Sequence, residues 1–281
     1  MNNVHLKIAD WYVLTKVNRT IIPIACLFLG ALLVGNLTLF AVLPIMSILL
    51  IYASAASLND IFDVEIDKVS NPDRPLPSHK LDVAGAYFIV LVIFLAGMLS
   101  TYFIGQYLNK PYFILIGLAA FMLGIIYCSR ASKNFITANG ILGMSHGFLP
   151  FITGVYLFGN ISTHALGIGA VIYIVLFLTY NVKDFKDKEG DSGQRVTLPT
   201  TFTERTAKKI MLAIFFALLP MAVFSNVLFK LSQVHFWISV IASFALIWLG
   251  IMLFNGGGKH SEKVLNLYRY VIVIYILSFG L

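Results

Sequence analysis

Charge is what this sequence has least of. Only 12% of its 281 residues are Asp, Glu, Lys or Arg, against about 25% in an ordinary soluble domain. That scarcity argues against a water-facing globule. Cysteine is almost absent. Cys26 and Cys128 both sit inside apolar runs, with no CxxC pair and no disulfide framework, and they read as small buried hydrophobes. A small-residue cleavage site is also missing where the charged N-terminus enters its first apolar segment, so that segment is expected to be a retained helix rather than a removed signal.

What is present is a series of uncharged apolar runs, at residues 20–35, 39–58, 83–107, 111–129, 135–158, 163–182, 210–229, 231–254 and 264–281. A bilayer core takes roughly 20 apolar residues per helix. Lipid gives an open backbone no hydrogen-bond partner, so runs of this kind predict helices. The expected fold class is all-α, a polytopic membrane bundle of about nine transmembrane helices around a central cavity. The ninth run is the weakest, because it holds Arg269 and stops at the chain end.

Threading those runs puts the N-terminus and the loops after runs two, four, six and eight on one face. All of the 20 Lys and Arg fall there except Lys110, Lys230 and the Arg269 inside run nine, as do all 13 Asp and Glu. Positive charge stays cytoplasmic, so the N-terminus and the acidic loops are expected inside. The net charge of +7 then follows from topology, as a basic rim beside anionic headgroups, and calls for no nucleic-acid partner.

Two acidic clusters stand out on that face. Residues 59–67 read Asn-Asp-Ile-Phe-Asp-Val-Glu-Ile-Asp, and residues 183–191 read Lys-Asp-Phe-Lys-Asp-Lys-Glu-Gly-Asp. Asp60, Asp63 and Asp67 are spaced three and then four apart, as are Asp184, Asp187 and Asp191. On a helix that spacing puts each trio on one face, where like charges repel unless something cationic offsets them. A constant offset of 124 residues carries the first trio onto the second, across an even number of runs. Two parallel four-helix halves plus one further helix are therefore expected, each half offering a carboxylate face to the cavity. Hard carboxylate oxygens select Mg²⁺, which completes its shell with phosphate oxygens, so the pair suits a diphosphate bridged by Mg²⁺. Solvated helix ends are the bland alternative, and a matched pair at one spacing argues against it. A secondary transporter is the rival class, yet transporters place ionisable groups at mid-membrane and these lie at the inner edge.

Further polar residues ring the same end. Asn71-Pro72-Asp73-Arg74-Pro75-Leu76-Pro77 forms a proline-set loop whose Arg74 can clamp phosphate in a fork. Lys16, Asn18 and Arg19 close run one, while Tyr127, Ser129, Arg130, Lys133 and Lys183 lie at the inner ends of runs four and six, and Asn139 opens run five. Singly these are headgroup anchors and helix caps. His146, inside run five, reads as a core histidine ahead of a base.

At these motifs the sequence resembles the UbiA superfamily of intramembrane prenyltransferases. Asn59 to Asp67 matches that family's NDxxDxxxD pattern, 71–78 looks like its NPxRPxPS segment, and Asp184 to Asp191 matches DxxDxxxD and is followed by Thr197-Leu198-Pro199. His79 stands where the family pattern has glycine. The resemblance covers the whole chain and implies one domain, 1–281, with motif one at 59–67 and its loop at 68–82, and motif two at 183–191 and its loop at 192–209. It implies Mg²⁺-dependent prenyl transfer from a prenyl diphosphate to a lipophilic acceptor, with two Mg²⁺ ions and no obligatory protein partner. Asn59, Asp63 and Asp67 with Asp184, Asp187 and Asp191 would hold the metals, joined by Asp60. Tyr127 would act beside the aspartates. Arg74, Lys133 and Lys183 would assist the diphosphate, with Asn18, Arg19 and Ser129 nearby and Asn139 toward the acceptor. The loops look most like the branch that alkylates geranylgeranylglyceryl phosphate in archaeal-type ether-lipid synthesis; aromatic quinone or tetrapyrrole precursors are the alternative acceptors.

Overall fold

The computed structural model describes residues 20–35, 42–129, 133–256 and 258–281, and they are helical almost throughout. Chain order gives α1 (Ile21–Leu33), α2 (Val42–Phe62), α3 (Val64–Ser70), α4 (Val83–Tyr107), α5 (Phe113–Ser129), α6 (Phe135–Gly143), α7 (Leu149–Phe158), α8 (Thr163–Thr179), α9 (Lys188–Asp191), α10 (Leu198–Thr201), α11 (Glu204–Phe229), α12 (Gln233–Asn255) and α13 (Gly258–Leu277). Among the described residues the only β pairing is an isolated bridge between Asn134 and Val196.

Seven of these stretches are long and apolar enough to cross a membrane: Val42–Phe62, Val83–Tyr107, Phe135–Phe158, Thr163–Phe185, Glu204–Phe229, Gln233–Asn255 and His260–Gly280. Runs one and four also form apolar helices, α1 and α5, but these have 13 and 17 residues and fall short of that length. The expected nine spans thus become seven full-length helices and two shorter ones among the described residues. The ninth run, discounted for its arginine, is one of the seven.

Polar side chains set where several helices begin. Asp82 accepts a hydrogen bond from the Gly85 amide at the start of α4, Ser162 from Ala165 at α8, and Ser232 from His235 at α12. Between α6 and α7 the helix widens into a π turn, Met144–Phe148. Pro150 follows at the start of α7. It has no N–H to give the preceding turn, and a wide turn accommodates the missing bond.

The helices pack as a ring. α2 lies on α4 and α5, α1 on α7, α8 on α6 and α11, and α11 to α13 run side by side back to α1. The largest core joins Cys26, Phe151, Ile172, Phe215, Leu246 and Tyr268 from six of these helices. Outward-facing Phe88, Phe103, Trp237, Phe244 and Trp248 are exposed, an apolar surface that suits lipid. α1 and α7 approach closely. A Cβ on Gly30 would lie 2.0 Å from the Phe151 carbonyl oxygen, and one on Gly154 would lie 2.1 Å from that of Leu27. Only glycine permits this backbone contact. The offset of 124 residues carries Gly30 onto Gly154 and Leu27 onto Phe151, so the two halves of the contact exchange under it.

Candidate active site

Each acidic motif sits where a long helix hands over to a short one. α2 carries Asn59 and Asp60 on its last turn, Asp63 is the joint (φ −96°, ψ 8°), and Asp67 lies within α3. In the second motif a six-residue 3₁₀ turn, Tyr180–Phe185, carries Lys183 and Asp184. There Asp187 is the joint (φ −92°, ψ 8°), and α9 ends at Asp191. Backbone bonding passes through both joints: Asp67 N–H donates to the Asp63 carbonyl at 2.8 Å, and Asp191 N–H to that of Asp187 at 2.9 Å. Each trio therefore stays on a nearly continuous spiral, bent at its middle aspartate. α3 and α9 touch, which brings the two motifs together.

Asp60, Asp63, Asp67, Asp184 and Asp191 are all buried. So many like charges out of water require cations, and two arginines supply them. The loop after α3 turns back because Leu76 is buried against Ala86 and Ile89 of α4. Ser78 Oγ donates to the Arg74 carbonyl at 2.6 Å. Arg74 then bridges Asp60, at 3.3 Å, and Asp67, in a very short contact. Arg195, in the loop after α9, reaches across to Asp63 in another very short contact and back to Asp191 at 3.6 Å. Thr200 Oγ1 donates to the Arg195 carbonyl at 2.9 Å, and Thr197 and Thr200 cap α10 reciprocally. The Thr197-Leu198-Pro199 segment thereby fixes the arginine. Burial disfavours both guanidinium charges, but the adjoining aspartates outweigh it and hold the pKa of each above the ordinary value. Burial raises Asp191 to about 6; Arg195 opposes that rise and Asp187 adds to it.

Among the described residues no three His, Cys, Asp or Glu side chains gather closely enough to enclose an ion, because the arginines stand between the carboxylates. The donor set nevertheless fits a hard divalent cation. Asp184 Oδ2 and Asp191 Oδ1 are buried oxygens without a hydrogen-bond partner, and such oxygens are satisfied by Mg²⁺. Asn59 donates from Nδ2 to Asp63 Oδ2 at 2.7 Å, and its amide oxygen, which accepts from Cys128 Sγ at 3.7 Å, keeps a second lone pair as one more hard donor.

Beneath this cluster opens a cavity of about 420 Å³. Its polar lining includes Asn59, Tyr127, Lys183, Asp187 and Arg269, and its apolar lining includes Ile22, Ile51, Ala55, Ala120 and Leu123. Lys183 Nζ donates to Tyr127 Oη at 2.8 Å and lies 5.2 Å from the centre of that ring. His146, placed by the π turn, is in the cavity wall rather than the core. Its ring meets Tyr52 and Tyr180 edge-on, with centroids 5.2 and 5.7 Å away.

Not every expected residue converges here. Ser129 and Lys133 are exposed; the hydroxyl of the first donates to the Ile126 carbonyl, while the backbone of the second pairs with Val196. Asn139 is buried outside the cavity wall, with an unpartnered Oδ1. Lys16, Asn18, Arg19 and Arg130 lie outside the described residues. The sequence reading missed Arg195 and Arg269. Arg195 had a signal, one helical turn after Asp191; Arg269 had none beyond its presence in an apolar run.

The paired motifs, the loop arginines and the apolar cavity beneath them form one arrangement, and residues 20–272 match the UbiA prenyltransferase family. The chain belongs to that family. This UbiA prenyltransferase is an integral membrane protein, with seven apolar helices of spanning length among its described residues. It is 26% identical over 269 residues to digeranylgeranylglyceryl phosphate synthase of Methanococcus maripaludis strain C7, covering 90% of both chains. It is 28% identical to the enzyme of that name from Methanococcoides burtonii, covering 87% of this chain and 85% of the relative. A UbiA homologue from Archaeoglobus fulgidus, solved with DMAPP and Mg²⁺, shares the fold with a TM-score of 0.68 at 14% identity, over 96% of this chain and 97% of that one.

Proposed function

We propose that this UbiA prenyltransferase moves a geranylgeranyl group from its diphosphate to geranylgeranylglyceryl phosphate, in a Mg²⁺-dependent reaction on the cytoplasmic face of the membrane. The observation that carries the reading is the meeting of two aspartate motifs over an apolar cavity, with Arg195 bridging them and Arg74 clamping the first. The relatives of the same name, aligned over nearly the whole chain, support the acceptor. The distribution of Lys and Arg supports the orientation. The chain is read as one domain of two parallel halves plus a last helix, each half supplying one motif.

On this reading Asn59, Asp60, Asp63 and Asp67 from one half, with Asp184, Asp187 and Asp191 from the other, hold two Mg²⁺ ions. The bound metal neutralises charge that develops on the departing diphosphate. Arg74 and Arg195 turn from the carboxylates toward the same diphosphate, and Lys183, steadied by Tyr127, adds a fixed positive charge. The bond from the prenyl C1 to the diphosphate oxygen breaks, and the acceptor hydroxyl oxygen bonds to C1 with loss of its proton. The apolar depth of the cavity takes the isoprenoid tail and keeps water from the allylic cation. Tyrosine faces in that wall favour the cation, each worth about 0.5–2 kcal/mol.

The test is Mg²⁺-dependent pyrophosphate release by purified protein given geranylgeranyl diphosphate and, separately, geranylgeranylglyceryl phosphate, 4-hydroxybenzoate or a naphthoate. Release with the glyceryl phosphate alone, lost on adding EDTA, is expected. Release with an aromatic acceptor in its place would overturn the acceptor and leave the reaction class standing.

A further inference from the structure

Arg269 is a positive charge in an apolar helix that the aspartate chemistry does not use. It lies on α13, in the His260–Gly280 span, and lines the cavity with Asn266 and Tyr268 of the same helix. Charge in such a helix is costly to keep, and it faces a partner or a functional cavity. Arg269 faces the cavity. Its NH1 donates to Asn266 Oδ1 at 3.1 Å, and among the described residues it makes no ion pair with a carboxylate. A guanidinium has five donors in a planar fork, so a single bond to a neutral amide leaves most of that capacity for something else. The other cations of this wall are engaged: Lys186 with Glu262 at 2.9 Å, and Lys183 with Tyr127. Arg74 and Arg195 belong to the aspartates. Asp187 is the acidic neighbour whose charge acts on Arg269, and it lines the same cavity without closing a salt bridge to it.

We infer that Arg269 binds the anionic head of the acceptor, and that the cavity therefore has two anion sites, one for the prenyl diphosphate at the aspartates and one for a phosphate monoester at α13. The inference rests on the proposed acceptor and deepens it. A phosphate monoester offers oxygens that a guanidinium grips in two parallel hydrogen bonds. α13 packs against the 3₁₀ turn Tyr180–Phe185 that carries Lys183 and Asp184, so a head held at Arg269 stays beside the reacting end of the cavity while its tail lies among the apolar side chains below.

The experiment compares transfer to geranylgeranylglyceryl phosphate with transfer to geranylgeranylglycerol, which lacks the phosphate, in the wild type, Arg269→Gln and Arg269→Lys. The wild type should favour the phosphorylated acceptor in kcat/KM by on the order of 10- to 100-fold, the size of a charge-assisted hydrogen-bond pair. Arg269→Gln should erase the preference through the acceptor KM, with the KM for the prenyl diphosphate within twofold of wild type. Arg269→Lys, keeping the charge and losing the fork, should restore part of it. Melting curves run beside the kinetics; if the Gln variant loses its fold, the Lys variant alone decides, by a several-fold drop in preference. An unchanged preference overturns the inference, and so does a rise in the KM for the prenyl diphosphate, which would assign Arg269 to the other anion. If the wild type prenylates neither glycerol lipid, the proposed acceptor itself fails.

Discussion

The two acidic motifs have nearly one backbone and different chemistry. Both bend at the middle aspartate, with φ and ψ within a few degrees of each other, and both close a helical turn onto their third aspartate. The side chains around them diverge. Asn59 corresponds to Lys183 and Asn71 to Arg195 under the offset of 124 residues. The first motif is flanked by neutral amides, donating to Asp63 at 2.7 Å and to Asp67 at 3.0 Å; the second is flanked by cations. Two motifs of nearly one backbone are thus set among different side chains. Arginines also reach the first motif, Arg74 on Asp60 and Asp67 and Arg195 on Asp63, while buried oxygens without a hydrogen-bond partner remain on Asp184 and Asp191 of the second.

If both motifs are needed, Asp63→Ala and Asp187→Ala should each lower turnover by about 10³-fold or more, with helicity by circular dichroism unchanged. Near-normal pyrophosphate release in either variant would break the equivalence. Arg195→Ala removes the one side chain among the described residues that bridges the motifs by ion pairs, so it should cost on the order of 10- to 100-fold in kcat/KM and raise the KM for prenyl diphosphate. Asn71→Ala, its counterpart, should cost less than tenfold; equal losses would mean that the motifs have not diverged in role. Glu65→Ala should change activity less than twofold, since Glu65 is exposed and, among the described residues, pairs with Lys68 of the same turn. The smallest effect is expected at His79, which adopts φ 57°. His79→Gly should raise thermal stability by at most about 1 kcal/mol, leaving kinetics untouched, because glycine takes that conformation without strain.

That last position shows how far the residues could be read in advance. The family pattern asked for glycine at 79, and the chain supplies the left-handed turn with histidine; a turn can be seen in a pattern, its strain only in dihedral angles. Apolar runs and the 3,4 spacing of the aspartates disclosed the helices and both motifs, since these are local and periodic. Arg195 showed in advance only its place one turn after Asp191, since its reach to Asp63 is a contact across the bundle that no spacing encodes; Arg269 offered nothing beyond its place in an apolar run. Ser129 and Lys133 erred the other way: they stand at the inner end of a run, but on a turn that bonds to its own backbone and to Val196. His146 read as core for want of the π turn, which a proline two residues beyond it does not by itself announce.

The close crossing of α1 on α7 has a consequence for how the molecule is assembled. Gly30 on Phe151 and Gly154 on Leu27 are the same contact made twice, the pattern of an isologous two-fold interface in a homodimer, here inside a single chain. A contact made twice holds both ends of the pairing in one register, and a single chain leaves each side free to differ in the side chains around it. Tethering replaces a bimolecular encounter with a local one, and so a motif rich in amides can stay matched to one rich in cations rather than to a second copy of itself.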